Sequence, residues 1–468
     1  RILLRRGDTW TERLTIHAAG TAENWAYVGP YGRLSDPAPR IRLANRRDDI
    51  CVVVQDLVSA PPYNVGLNYI HIDNLVLSDS RIGLYIRAAV STGNRGIRVT
   101  DCLFENMDCE PVMSAMLDSG SIAAELNMAK GNLDMFASSY QSQGGGGAEY
   151  VWPAAVVLGG RRGLASPTSF HDISLDNLRF EGCITGVLVY FYNLPSSTNF
   201  YRNLSMTRCT ITGTVNGILA AKGLDAGHDG TPDSPWGRFR NLNILAGSEN
   251  RGFALGTTGL ILEDVANARF SDCSFSHVRN NGNPDGCGFD FESECRNITV
   301  ERSIFTDNDG QGILMMDNHA GAPDGPKPHR DVTIRNCLFY DNLQNVDSDR
   351  YRWDICIWNS GNTNIRLEEN RHVSRVRTSG QAEELANSDG SIRDALLMDR
   401  PRSYGSRTDG IMEVDASFRR NNTLTDFLAE VDDLGLSAAL RTVDLVQKAA
   451  GPPTEGPTAL PTGRPTAV

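Results

Sequence analysis

The sequence predicts an all-β solenoid in which short strands stack coil on coil. Three observations predict it: an octet recurring at intervals near 30 residues, a second short strand that opens on glycine after most octets, and turn-forming Gly, Asn and Asp spread along the whole chain. At 468 residues the chain exceeds what one compact core holds. It is therefore several domains or one elongated repeat, and the octet selects the repeat.

The octet reads apolar, any, apolar, any, any, a small or amide residue, any, apolar. It runs as Ile70 to Leu77, Ile97 to Phe104, Ile173 to Phe180, Leu204 to Ile211, Ala268 to Phe275, Ile298 to Phe305, Val332 to Phe339 and Ile365 to His372. Alternating apolar residues make a strand with one buried face. A small hydrogen-bonding residue then turns the chain. Asn74, Cys102, Asn177, Cys209, Cys273, Ser303, Cys337 and Asn370 are assigned to that turn, with Gly247 in a weaker copy. Cys102, Cys183, Cys209, Cys273 and Cys337 thus lie at or near the bends, where stacked buried thiols are expected in place of disulfides.

The second strand opens at Gly83, Gly186, Gly217, Gly252, Gly288 and Gly312, with a variant at Asp354. The beginning carries Arg6-Gly7-Asp8-Thr9-Trp10, Gly20-Thr21 and Val28-Gly29-Pro30-Tyr31-Gly32. Further on come Gly288-Phe289-Asp290-Phe291-Glu292 and Asp307-Asn308-Asp309-Gly310-Gln311-Gly312. On these segments the chain resembles the right-handed parallel β-helix proteins of the pectate-lyase-like superfamily, and among them secreted bacterial carbohydrate-active members. The resemblance covers residues 1–373. It implies the fold, and a secreted or periplasmic location, but no single chemistry, since one fold hosts many.

The spacing breaks between Phe104 and Ile173. An insertion is expected over 108–166, with a helical stretch from Pro111 to Met135, a Gly144–Gly147 loop and a strand-like Trp152 to Leu158, the whole serving as a lid. Residues 374–450 are expected to form a loop followed by a helical cap on the last coil. Residues 451–468, rich in Pro and Thr, read as a disordered tail that could lead to a further domain.

With 45 Lys and Arg against 57 Asp and Glu, the net charge of −12 argues against a nucleic-acid partner. No apolar run is long enough for a membrane helix. Phosphate-binding Gly loops, His-Glu-x-x-His, Cys-x-x-Cys and Gly-x-Ser-x-Gly are all absent. Asp225, His228 and Asp229 fit no ligand template, so no metal site is assigned.

Outward-facing columns of the second strands point to the chemistry. One column is expected to read Tyr85, Leu188, Leu219, Ala254, Asp290, Leu314, Cys356, and the next Arg87, Tyr190, Ala221, Gly256, Glu292, Met316, Trp358. Two carboxylates thus stand in a mainly apolar face, where burial favours the protonated acid. Alternate strand residues lie about 7 Å apart, near the carboxyl spacings of glycosidases. Asp290, Glu292 and, one coil on, Asp317 are the expected catalytic residues. Arg352, Trp353, Trp358, His319, His329, Tyr190 and Trp236 are the expected substrate-binding residues, the aromatic rings by stacking on sugar faces.

The expected function is hydrolysis of glycosidic bonds in a polysaccharide or oligosaccharide, by carboxylate acid/base chemistry and without an assigned cofactor. Two alternatives stay open. One is a polyuronate lyase using Arg352, Lys327 or His329, with Ca2+ held by Asp290, Glu292 and Asp317. The other is a non-catalytic glycan-binding solenoid.

Overall fold

The computed structural model describes residues 1–16, 19–43, 50–54, 68–80, 82–88, 95–107, 154–160, 170–183, 185–190, 201–212, 216–225, 237–240, 243–245, 258–278, 286–316, 328–340, 342, 354–357, 362–374, 411–420 and 436. Among these every regular element is a strand, and the strands stack in parallel from coil to coil. The expected helices of the insertion and the cap, and the tail 451–468, lie outside the described residues.

Each coil has three strands. Asn68–Asp73, Val76–Ser78 and Ile82–Ala88 show the plan. Each strand pairs with its counterpart one coil on, as in Ile70↔Ile97, Leu77↔Phe104 and Leu84↔Val156. Three parallel sheets result, called here I, II and III in the order a coil visits them. They run from Ile2–Arg5, Thr9–Trp10 and Leu14–Ile16 to Arg330–Arg335, Leu338–Tyr340 and Ile355–Ile357. Thr363–Ser374 adds the next strands of sheets I and II. The chain is a right-handed parallel β-helix, the hand that parallel crossovers take.

The interior follows from the octet. Residues such as Ile97 and Val99 from sheet I, Phe104 from sheet II, and Val156 and Leu158 from sheet III meet in one continuous buried core. Sheet II contributes a phenylalanine ladder. Phe104 stacks on Phe180 at 5.1 Å, Phe275 on Phe305 at 5.0 Å, and Phe305 on Phe339 at 4.9 Å. That spacing is the strand repeat itself. The ladder explains the glycine that opens sheet III. A Cβ at Gly288 would lie 2.8 Å from the Gly312 carbonyl oxygen and 3.1 Å from both Phe275 and Phe305.

The bend between sheets I and II uses two neighbouring positions. Asn74, Asp101, Asn177, Arg208, Asp272, Arg302, Asn336 and Glu369 all have positive φ, between 45° and 56°. The residue after each is the inward ladder position: Leu75, Cys102, Leu178, Cys209, Cys273, Ser303, Cys337 and Asn370. Its side chain, where polar, accepts an amide hydrogen from the coil before. Leu75 N–H donates to Cys102 Sγ at 3.5 Å, Cys273 N–H to Ser303 Oγ at 3.2 Å, and Cys337 N–H to Asn370 Oδ1 at 3.1 Å. Asn74 and Asn177 are thus the left-handed residues, one place before the ladder. Gly247 lies outside the described residues. The described cysteines are buried free thiols.

Two stretches extend the solenoid beyond its expected limits. Ala154–Gly160, inside the expected insertion, is a sheet III strand paired with Ile82–Ala88 and Thr185–Tyr190. Residues 108–153 therefore fall between the second and third strands of one coil, and whether they form a lid lies outside the described residues. Ile411–Arg420 pairs in parallel with Thr363–Ser374, so strand stacking continues past residue 373.

Candidate functional site

The outer face of sheet III is where the acidic strand lies. Register gives one column as Val53, Tyr85, Val157, Leu188, Leu219, Ile261, Asp290, Leu314 and Cys356. Ile261 holds the place expected for Ala254, because Thr258–Ser271 supplies this coil's third strand and Gly259, not Gly252, opens it. Most of this face is shielded from solvent: Val53, Tyr85, Val157, Leu188, Leu314 and Cys356 are buried. Cys287, Leu314 and Cys356 form a small cluster of their own outside the core, with Met316 packed on it.

Asp290 lies in this apolar column and is 0% exposed. Cys287–Ser293 places it by strand alternation, with Phe289 and Phe291 filling the core on either side. Glu292, the second carboxylate of the strand, is half-buried. Glu292 also occupies a β-bulge. Leu262 pairs with Phe291 but Glu263 pairs with Ser293, so Glu292 is the extra residue. A bulge bends the strand and re-aims the side chain it carries.

The same register brings in a carboxylate residue that sequence reasoning passed over. Glu263 follows Ala221 in the next column, at the place expected for Gly256. Its signal was the run Gly259-Leu260-Ile261-Leu262-Glu263, which repeats the pattern of Gly288 to Glu292.

His329 is buried and committed to backbone. Cys295 N–H donates to its Nδ1 at 3.3 Å, so the ring proton is on Nε2, which donates to the Met316 carbonyl at 2.9 Å. Its own N–H donates to Asn362 Oδ1 at 2.8 Å, and its ring meets Phe291 edge-on at 5.8 Å. Both ring nitrogens are used in this way, so His329 is a strut for the return from sheet III to sheet I and not a sugar contact. It holds Met316, whose N–H donates to Phe291 O at 2.7 Å, next to the Glu292 bulge.

The Asp307 to Gln311 segment braces the same strand from the sheet II side. Asn308 Oδ1 accepts Val278 N–H at 3.1 Å, and its Nδ2 donates to Asn342 Oδ1 at 2.9 Å. Asn342 in turn donates to Asp354 Oδ1 at 3.0 Å. His277 Nε2 lies 3.1 Å from Asp307 Oδ2. Gly288 N–H donates to the Gln311 carbonyl at 2.9 Å, tying the segment to the start of the Asp290 strand.

Asp317, His319, Arg352, Trp353, Trp358 and Trp236 lie outside the described residues. Tyr190 is placed by its backbone only, opposite Gly159 and Ala221. Among the described residues no group of three or more His, Cys, Asp or Glu is set to hold a metal ion, and no helix is long and apolar enough to cross a membrane.

No protein-family model matches the sequence, and no curated protein does. Solved structures do match. A GH136 lacto-N-biosidase of Eubacterium ramulus superposes with a TM-score of 0.54 at 12% identity, over 89% of this chain and 62% of that one. This chain therefore spans less than two thirds of that enzyme's length. The A-module of the mannuronan C-5 epimerase AlgE6 of Azotobacter vinelandii matches at TM-score 0.41 and 10% identity, over 89% and 90% of the two chains. PfbA, a surface adhesin of Streptococcus pneumoniae, matches at TM-score 0.35 and 9% identity, over 90% and 83%. At 12% identity the first of these likenesses bears on the fold alone.

Proposed function

We propose that the chain is a carbohydrate-active enzyme that cleaves glycosidic bonds of an oligosaccharide or polysaccharide at the outer face of sheet III. The observation that carries this reading is the pair Asp290 and Glu292 on one bulged strand, with Asp290 in a column that is otherwise apolar from Val53 to Cys356. Glu292 is the group a sugar reaches, and it is assigned the proton transfer to the leaving oxygen. A partner carboxylate, Asp290 beside it or Asp317 after the next strand, activates water or attacks the anomeric carbon. The similar β-helix of Eubacterium ramulus, a lacto-N-biosidase, has an activity of the same class.

A polymeric substrate places the protein outside the cytoplasm, secreted or periplasmic. The buried thiols tolerate such a compartment: burial pushes the Cys102, Cys209 and Cys337 thiols up to about 12, which removes the reactive thiolate.

The test is release of reducing ends from a glycan panel, with and without chelator, by the wild-type chain and by Glu292→Gln. Reducing ends that appear with the wild type and vanish with the variant support hydrolysis at this site. Unsaturated ends appearing together with the reducing ends would assign a lyase instead, and loss on chelation would add a cation.

A further inference from the structure

Sheet I carries a second constellation, far from Asp290 in the stacking order, at the coils of residues 25–29, 69–73 and 96–100. Register sets it out as three columns: Trp25, Tyr69 and Gly96; Tyr27, His71 and Arg98; Gly29, Asp73 and Thr100. Trp25, Tyr27, Tyr69 and His71 are half-buried and Arg98 is exposed, so the group faces solvent. We propose that these side chains form a binding site for a neutral pyranose chain. The proposal takes its ligand class from the function proposed above, but the site is separate from the one at Glu292.

Tyr69 provides the first argument. Its φ is +53°, and the matching described residues of the later coils are Gly96, Asp172, Asn203, Asn267, Asn297, Asp331 and Asn364, all with positive φ. These are the residue types that adopt the left-handed region at low cost. An aromatic side chain there is disfavoured by backbone sterics, so the ring is placed at the expense of local comfort.

Two glycines supply the second. A Cβ at Gly96 would lie 2.9 Å from Tyr69 Cδ1, and one at Gly29 would overlap the Tyr27 ring. Both rings therefore lie down over bare backbone, along the sheet, in a way that any other residue beneath them would prevent. Half-buried rings held along the strand in this way offer apolar surface of the kind that packs against a sugar.

The rings are also fixed in advance. Trp25 meets Tyr69 edge-on at 5.5 Å and 69°, Tyr27 meets His71 at 5.5 Å and 76°, and the Arg98 guanidinium sits 4.6 Å over the Trp25 ring. Tyr27 O–H donates to Asp73 Oδ2 at 2.8 Å and Thr100 O–H to Asp73 Oδ1 at 2.6 Å. Thr100 has thus spent its hydrogen, so at 2.8 Å it accepts from His71 Nε2, which leaves His71 Nδ1 as an acceptor. Such preorganisation removes much of the ordering cost of binding. Arg98 and Asp73 offset each other in charge, and burial holds the His71 pKa below its ordinary value, so the patch is close to neutral at pH 7. That favours an uncharged sugar over a uronate.

The test is affinity electrophoresis of Glu292→Gln protein, which cannot turn over its own probe if the proposed activity holds. The gels contain mixed-linkage β-glucan, galactomannan, arabinogalactan or polygalacturonate. Trp25→Ala and Tyr69→Asn are made in the same background. At least one neutral polymer should retard the protein, and each variant should weaken that retardation about tenfold in association constant. Tyr69→Asn should melt at the same temperature or higher, because Asn suits the left-handed position. Retardation unchanged in both variants, retardation by polygalacturonate alone, or none by any polymer would overturn the proposal. So would a Tyr69→Asn protein that melts lower, since the ring would then be packing. Wild-type cleavage of the panel is scored separately. Patch-dependent binding without cleavage removes the activity and keeps the site, and cleavage with patch-independent binding does the reverse.

Discussion

Glu301 shows how single charges are tolerated in a stacked sheet. Its side chain is 1% exposed and bonds Arg269, Arg302 and Arg335, residues of three successive coils. Arg302 also binds both oxygens of Asp272, at 2.9 Å each. Stacking at the strand repeat would set like charges against one another, so signs alternate. Burial alone would raise the Glu301 carboxyl, but the Arg335 and Arg269 guanidiniums outweigh it and hold the pKa below its ordinary value. A carboxyl depressed in the folded state stabilises fully above its unfolded pKa, about 4.3, and loses that contribution as pH falls through the folded value. Asp176, held down by Arg208, acts with the same sign. Melting temperature should therefore fall below about pH 4.5, and less steeply in Glu301→Gln. At pH 7 that variant should lose about 2–3 kcal/mol in denaturant unfolding, the cost of hydrogen bonds to charged groups in a buried setting. A second residue-scale prediction concerns thiols: Cys102, Cys209, Cys273 and Cys337 should resist a thiol reagent at pH 8 in the native protein and react once it is unfolded.

The strands show which features a repeat displays openly and which it hides. Gly288 illustrates the first kind. Gly288→Ala would drive a methyl into the Gly312 carbonyl and the Phe275–Phe305 stack, and backbone cannot rotate away. We expect a loss of about 2–3 kcal/mol by thermal or denaturant melting, at the upper end of overpacking costs. The octet and this glycine were legible because each has a side-chain period of two and a steric reason to recur. The bend was misread by one place at Asn74 and Asn177, because asparagine suits both the left-handed residue and the ladder position that follows it. The strand opened by Gly259 was missed because its coil has no clean octet, and Gly252 imitated its opening. The Ala154–Gly160 strand was hidden behind the long stretch that separates it from Leu103–Glu105. At the site, alternation identified Asp290 and Glu292 as outward-facing, but alternation reports a face and not what shields it. The burial of Asp290 and the bulge at Glu292 depend on neighbours and register, so neither was visible in one strand's sequence.

A stacked solenoid spreads stability along its length, because each coil contacts its neighbours and little else. A site built on its strands is held by the coils on both sides, and this distinguishes chemistry from folding at Asp290 and Glu292. Glu292 is the extra residue of a bulge and is half-buried, so Glu292→Gln removes ionisation without disturbing a ladder pair or the core. Its melting temperature should stay within a degree or two of wild type, as expected for a change outside the packed interior. Its turnover on an identified glycan should fall about 100-fold or more, the usual weight of a positioned acid or base. Asp290→Asn preserves shape in a fully buried place between Ile261 and Leu314. If Asp290 serves the reaction, turnover falls while the protein stays folded; if it serves only the stack, melting shifts and the remaining folded protein keeps its turnover. Both measurements belong on the same preparations. A folded Glu292→Gln protein with wild-type turnover would remove this strand from the chemistry and send the search to Glu263, one coil earlier on the same edge of sheet III.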